Sequence, residues 1–306
     1  MFEEAWAFVC VHPVNWWWSE QLCLFTAGVW TVFIAVEGMS LLIFKKKMNL
    51  CAHLRDLGKR YNIKHVWAYM LLGQIVAISV ASNLFYLALI LSEPPSLSSR
   101  RNLSLKQTAV SARLVVSVLL SLVTVALSPF TSPKTFLPNL LVMHVLLFVP
   151  LISITTASSS SETSPASSFS VNLNTLYRII QLACAGIHVR TVIAAIGSLQ
   201  TSSKLSAGHI FKEAWTTLYS HPAQSSIGWD VIWTSLSFIA WILLLRPGPS
   251  RYYNDMYYGI AMYLMLATPV ASIGVTAPYA LQLRGDVAEG EQRDVGIDSE
   301  EKKKTS

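Results

Sequence analysis

A charged side chain inside hydrocarbon costs ~2.5–3.5 kcal/mol on insertion scales, so the residues with the best claim to chemistry are the few that interrupt long apolar runs. Of 17 acidic residues, two fall inside such runs: Glu37 in Val36-Glu37-Gly38 and Asp230 in Gly228-Trp229-Asp230. Glu37 lies eight residues before Lys45, which marks the edge of its run; at helical rise this is ~12 Å inside. Asp230 opens its run and lies ~3 Å inside. Both belong to the cytosolic half of a helical bundle and are placed to share one cavity. The chemistry open to such a pair is acid–base work. A carboxyl group buried among apolar side chains tends to keep its proton and can act as a general acid, with a second carboxylate to receive or polarise it.

Other polar groups fall in the same half. Arg190 and His188 are candidates for the cavity lining, as are Trp229 and Trp233. Aromatic rings are plentiful, with 10 Trp, 11 Tyr and 12 Phe, and ring faces stabilise carbocations without quenching them; Trp67, Trp229, Trp233 and Trp241 are placed to supply such faces. Structural roles compete with each of these. Glu37 can pair with Arg190, and Asp230 can cap a helix or stabilise its first turn. Arg113 and Arg178 can snorkel to the interface. His144 and His188 can hydrogen-bond between helices, and the tryptophans can form an interfacial belt.

The elements that must position these residues are transmembrane helices. The chain is 53% hydrophobic and 13% charged, with mean hydropathy +0.46, far from the ~25% charged residues of a soluble domain. Seven stretches reach the ~20 apolar residues that a span needs: 21–44, 66–92, 108–128, 136–156, 174–198, 228–246 and 257–281. The fold class is all-α, a polytopic bundle in contact with the lipid bilayer. It comprises one domain over 1–284, with an N-terminal interfacial segment 1–20 and a disordered tail 285–306. Pro150, Pro269 and Pro278 fall inside spans, where each frees a backbone carbonyl that a neighbour must satisfy. The acidic start Met1-Phe2-Glu3-Glu4 is not that of a cleavable signal peptide, so the first apolar helix serves as an uncleaved anchor.

With seven crossings and the N-terminus in the lumen, 15 Lys and Arg fall on the cytosolic side and 5 on the lumenal side, as the positive-inside rule asks. The sequence therefore predicts a multi-pass protein of the endoplasmic reticulum with a cytosolic C-terminus. The sequon Asn102-Leu103-Ser104 then faces the lumen as a candidate glycosylation site. The Ser-rich segment 157–170 reads as a flexible lumenal loop. The net charge of +6 is spread over loops rather than gathered on one face, which excludes nucleic acid as a partner.

An internal similarity links the two halves. Phe2-Glu3-Glu4-Ala5-Trp6 precedes His12-Pro13 by the same spacing that separates Phe211-Lys212-Glu213-Ala214-Trp215 from His221-Pro222. Each copy reads as an interfacial helix, with Trp at headgroup level and Pro stopping it before the chain enters the bilayer. On a seven-crossing count the copies lie on opposite faces, as in an inverted repeat. Absent motifs narrow the chemistry further. There is no DDxxD, NDxxDxxxD or DxDD for metal-dependent diphosphate ionisation, and no P-loop, GxGxxG, HExxH or GxSxG. Cys10, Cys23, Cys51 and Cys184 form no CxxC and read as small apolar residues. No cofactor and no metal is expected.

A chain of this length, with seven helices, no metal motif and two separated intramembrane carboxylates, resembles the fungal integral-membrane terpene cyclases of meroterpenoid pathways. The segment from Trp67 to Ser79 and the stretch from His221-Pro222 to Gly228-Trp229-Asp230 look like parts of such proteins. The resemblance implies acid-initiated, metal-independent cyclisation of a hydrophobic prenylated substrate of farnesyl type, with Glu37 and Asp230 as catalytic residues acting on a terminal epoxide or alkene. The competing classes are a small membrane transporter, to which broken helices and repeats also belong, and a non-catalytic membrane subunit.

Overall fold

The computed structural model describes residues 6–37, 65–91, 109–156, 170–200, 206–244 and 251–286. Among the described residues the fold is all-α apart from two three-residue strands. Five helices are long and apolar enough to cross a membrane: α1 Pro13–Glu37, α4 Ala112–Phe130, α5 Pro133–Leu151 (continuing to Thr156), α6 Leu173–Gln200 and α8 Pro222–Leu244. They suit a multi-pass membrane protein. Shorter helices are α2 Val66–Ile75, α3 Ile78–Leu91 and α7 Ala207–Leu218. α9 Arg251–Ala271 is followed by α10, residues 273–286.

α1 is the central rod. Of its apolar window 89% is buried, against 28% for α5 and for α6. It begins at Pro13, well before the expected start at 21, because Pro at the first helical position has its φ preset and lacks only an N–H that would be unsatisfied anyway. The expected interfacial segment 1–20 is therefore helical and internal from Pro13 onward, and Trp16, Trp18 and Glu20 are buried in protein. One π turn, Phe25–Trp30, widens α1, and the Thr31 hydroxyl donates to the Thr26 carbonyl at 2.8 Å. α8 likewise starts at a proline, Pro222, ahead of the expected 228. That places Asp230 ~12 Å along the helix rather than at its mouth.

The second and seventh expected spans are not single rods. The 66–92 run breaks after Ile75, and α2 folds back on α3: Tyr69 meets Phe85 with ring centroids 5.2 Å apart, and Gly73 lies against Ile78 and Ala81. The 257–281 run breaks at Ser272, whose φ is 70°. α10 returns beside α9, with the Thr268 and Thr276 hydroxyls 2.8 Å apart and the Tyr263 and Tyr279 rings 5.1 Å apart. Both tips lie inside the bundle. Gly274 sits against Leu24, and the start of α3 sits against Asp230.

These hairpins alter the expected repeat. α1 and α8 run side by side in the same direction: Phe25 meets Phe238 at 6.3 Å and Phe33 meets Trp241 at 5.0 Å between centroids. Their starts touch as well, Gln224 Nε2 lying 3.5 Å from the Asn15 carbonyl. The two Trp-and-Pro segments thus lie at the same end of the bundle, although Met1 to Ala5 of the first copy fall outside the described residues. Each is followed by a long helix and then a hairpin that returns to the far end. The inverted-repeat expectation fails for one reason: it counted the 66–92 run as a crossing. The arrangement is a parallel repeat with α4, α5 and α6 between its halves. Each hairpin packs on the other half's long helix, α3 on α8 through Asn83 and Ser237, and α10 on α1.

One of the prolines inside a helix is answered as expected. Pro150 cannot donate to the Leu146 carbonyl, and the Ser117 hydroxyl of α4 does so instead. The strands Ala109–Ser111 and Ser170–Asn172 pair antiparallel just before α4 and α6 and fix these two helices as parallel neighbours.

Candidate functional site

The carboxylates singled out in the sequence are held apart. Asp230 accepts the backbone N–H groups of Ile78 at 3.0 Å and Ser79 at 2.7 Å, capping α3 from across the bundle. The first N–H groups of a helix have no intrahelical partner, and a carboxylate at that end also meets the positive pole of the dipole. The capping role therefore holds, but for a different helix. Glu37 stands at the far end of α1. Its Oε1 accepts from Arg284 Nη1 at 3.1 Å, and the same guanidinium lies 4.7 Å above the Trp241 ring. Trp241 follows Asp230 by eleven positions on α8, so the two carboxylates are separated by roughly 16 Å along the bundle. They do not share a cavity.

Arg190 is not the partner of Glu37. It donates to the Ala126 carbonyl at 2.9 Å and lies 5.2 Å from the Phe130 ring centre. Trp229 and Trp233 are 37% and 55% exposed and face outward rather than into a cavity, whereas Trp241 is buried. Trp241 joins Phe25, Trp30, Phe33, Phe85, Tyr86 and Phe238 in a cluster of mutually packed rings beside Glu37. Arg178 donates to Gln282 Oε1 at 3.3 Å, and His144 contacts the Leu140 carbonyl one turn back. Cys10 and Cys184 are buried. Asn102, Cys51, the Ser-rich segment 157–169 and the tail past 286 lie outside the described residues.

His188 does join an internal polar centre, with a partner the sequence reading passed over. Glu20 is 0% exposed. Its Oε1 lies 3.1 Å from His188 Nδ1, and its Oε2 accepts from the Thr191 hydroxyl. His188 and Thr191 stand one turn apart on α6, which runs antiparallel to α1; Gly28 against Ile180 and Cys184 fixes that direction. On its other side His188 Nε2 lies 3.2 Å from the Val270 carbonyl. The break at Ser272 leaves that carbonyl at the end of α9 without a helical donor.

The hydrogen-bond pattern bounds what this centre can do with a proton. A carbonyl oxygen only accepts, so Nε2 carries a hydrogen. Nδ1 then faces a carboxyl oxygen, and the contact is favourable only if one more proton lies between them, on Nδ1 or on Oε1. The contact is thus of a kind that can hold one proton between the two groups, with Thr191 orienting the carboxyl group. Glu20 had a signal in the sequence: Pro13 opens a helix seven residues before it. The polar run Ser19-Glu20-Gln21 lowers local hydropathy and drew the boundary to 21 instead. Comparison of the chain with protein-family models, with curated proteins and with solved structures gave no match.

Proposed function

We propose that this chain is an integral-membrane enzyme that cyclises a prenylated, lipid-soluble substrate by proton transfer, with Glu20 and His188 rather than Glu37 and Asp230 as the acid–base pair. The observation carrying the reading is the Glu20–His188 contact at 3.1 Å with both groups buried. One proton passes from the pair to the oxygen of a terminal epoxide, and the C–O bond opens to a tertiary cation. The π electrons of the next double bond close the ring. Loss of a proton from carbon ends the sequence and restores the pair, so substrate and product are isomers and no oxidant is consumed. Apolar surroundings keep water from the cation.

The orientation that fits this fold keeps the N-terminus lumenal and the C-terminus cytosolic. Both hairpins start and finish at the Glu37 end, so segments 38–64, 92–108, 245–250 and the tail all leave from it, and they carry most of the Lys and Arg. The opposite end has Lys134, Lys204 and Lys212. The positive-inside rule then makes the Glu37 end cytosolic. The described helix ends that flank segment 92–108, those of α3 and α4, are both at the Glu37 end, so this orientation predicts no glycan at Asn102, and the Glu20 centre lies toward the lumenal side.

The test is turnover of a farnesylated aromatic epoxide by microsomes carrying the protein, with EDTA present. Cyclised product from the wild type and from Glu37→Gln, lost in Glu20→Gln, supports the reading. Loss only in Glu37→Gln moves the acid to the other end of α1. The two hairpins with internal tips favour transport as a second reading. Uptake of a polar solute by proteoliposomes, with no product from any prenylated substrate, would establish it.

A further inference from the structure

The lipid-facing side of α3 and α8 carries two polar groups at a depth that water does not reach. Trp233 is the middle residue of α8, Pro222–Leu244, ~16 Å from either end. Its ring is 55% exposed, yet indoles gather at the membrane interfaces rather than at mid-span. Asn83 is exposed on α3, eight positions before Leu91, or ~12 Å from that end. Its Nδ2 donates to the Ser79 carbonyl and to Ser237 Oγ, each at 2.8 Å. The amide cannot be reversed, because a carbonyl only accepts and the Ser237 hydroxyl directs its own hydrogen to the Trp233 carbonyl at 2.6 Å. Both Nδ2 hydrogens are thus used. Among the described residues, Asn83 Oδ1 has no donor and the Trp233 Nε1–H has no acceptor. Val80, Leu84, Leu87 and Leu236 around them are 42% to 51% exposed, so the medium at this face is hydrocarbon.

We propose that this face is where two copies of the chain pair in the membrane, the Trp233 Nε1–H of each copy donating to Asn83 Oδ1 of the other. A polar atom left bare in hydrocarbon is costly. Acyl chains can cover the face but bring neither a donor nor an acceptor. A second copy brings one of each, and this hydrogen-bond complementarity of the face with itself selects the partner. Copies of one chain insert with the same orientation, so the axis relating them runs along the membrane normal. A half-turn about that axis keeps every group at its own depth and sets the donor of each copy against the acceptor of the other, the reciprocal pattern of a two-fold interface. The bonds through Ser237 hold the amide within about one helical turn of Trp233 in depth, a span that an indole ring bridges. Bonds between membrane helices are individually modest, but symmetry makes this one twice, with Leu84, Leu87 and Leu236 packing around it. The proposal does not depend on the acid–base reading above.

The experiment is two-colour single-molecule colocalisation of the full chain, labelled at its C-terminus, in liposomes over a range of lipid-to-protein ratios. The wild type should form particles of two copies, with a dissociation constant that Asn83→Leu and Trp233→Phe each raise about tenfold, the equivalent of ~1.4 kcal/mol. Both changes in one copy should add little, since either alone removes both bonds. The decisive sample mixes Asn83→Leu copies with Trp233→Phe copies. Such a mixed pair regains one of the two bonds and should hold together more tightly than either variant with itself. Trp233→Phe keeps a ring and the carbonyl that Ser237 bonds, so its unfolding transition in detergent should match the wild type and separate a lost interface from a lost fold if Asn83→Leu disturbs α3. Single copies at every ratio overturn the proposal and leave the face to lipid. Pairing indifferent to both variants overturns it by moving the interface elsewhere, and so do mixed pairs no tighter than the self-pairs. A complex with a different protein in native membranes, sensitive to both variants while purified copies stay single, overturns it in favour of that partner.

Discussion

Glu20 and Glu37 sit at opposite ends of one helix and show two ways of keeping a carboxyl group in a membrane bundle. Glu37 faces Arg284, with side chains 26% and 25% exposed. A guanidinium does not give up its proton, so this pair only fixes charge; it ties the end of α10 to α1 and leaves nothing to transfer. Glu20 faces an imidazole and a hydroxyl, fully buried, and carboxyl and imidazole are both groups that can take up or release a proton. The adjoining space differs in the same sense. Beside Glu37 the rings pack against one another, while beside Glu20 an apolar cavity of about 180 Å³, with Trp17, Val192 and Val270 in its wall, stands open to lipid. A site for chemistry on a hydrophobic substrate needs both a proton to give and room, and the proposed function rests on the Glu20 end because the described residues there supply the two together.

That contrast can be broken at several points. The largest effect expected is on turnover: Glu20→Gln should lower kcat by ~10²–10⁴-fold, the usual contribution of a positioned acid, with Glu37→Gln within a few-fold of wild type in the same microsomal assay. Equal losses in the two variants would erase the distinction between the two ends. Next comes Asp230→Ala, which uncovers two N–H groups at the start of α3. Hydrogen bonds to a charged group contribute ~1.5–3 kcal/mol, so chemical denaturation in detergent should show a loss of about 2–3 kcal/mol, with Asp230→Asn intermediate. Gly274→Ala follows. A Cβ there would meet Leu24 Cβ at 2.7 Å and the Leu24 backbone at 3.1 Å, and the backbone cannot turn aside. Overpacking of this kind costs ~1–3 kcal/mol, read from the same transition. The smallest changes are expected from Trp233→Ala, which removes an outward-facing ring and should shift stability by less than ~0.5 kcal/mol, with turnover unaffected.

The sequence was most legible where lipid is the judge. Apolar length located the helices on the outside of the bundle, and Pro150 announced a carbonyl that Ser117 duly meets. It was least legible where protein replaces lipid. Because α1 is enclosed, Ser19, Glu20 and Gln21 are buried in protein rather than hydrocarbon, Glu20 against His188 and Thr191 and the other two bonded to the Asn15 and Trp17 carbonyls, and a hydropathy window reads their polarity as the end of a span. The breaks were hidden for a related reason. Ile75-Val76-Ala77-Ile78 has no proline or glycine; the chain turns there because Asp230, far away in sequence, receives the N–H groups that the turn exposes. At Ser272 a non-glycine residue adopts a left-handed conformation, held by Gly274 N–H donation to its own hydroxyl at 3.3 Å. Missing the first of these breaks inverted the inferred side of everything from α4 to α8, which is how a parallel repeat came to look inverted.

The cap on α3 also has a consequence in time. Its acceptor, Asp230, lies 152 and 151 residues after the two donors it serves. At ~5–20 residues per second, ribosomes need roughly 8–30 s to supply it. For that interval the first hairpin stands in the membrane with its tip incomplete, beside a helix whose counterpart does not yet exist. Biogenesis of this chain therefore has a built-in waiting period, and an insertase or chaperone that shields polar backbone within the bilayer should be needed for the early half more than for the late one.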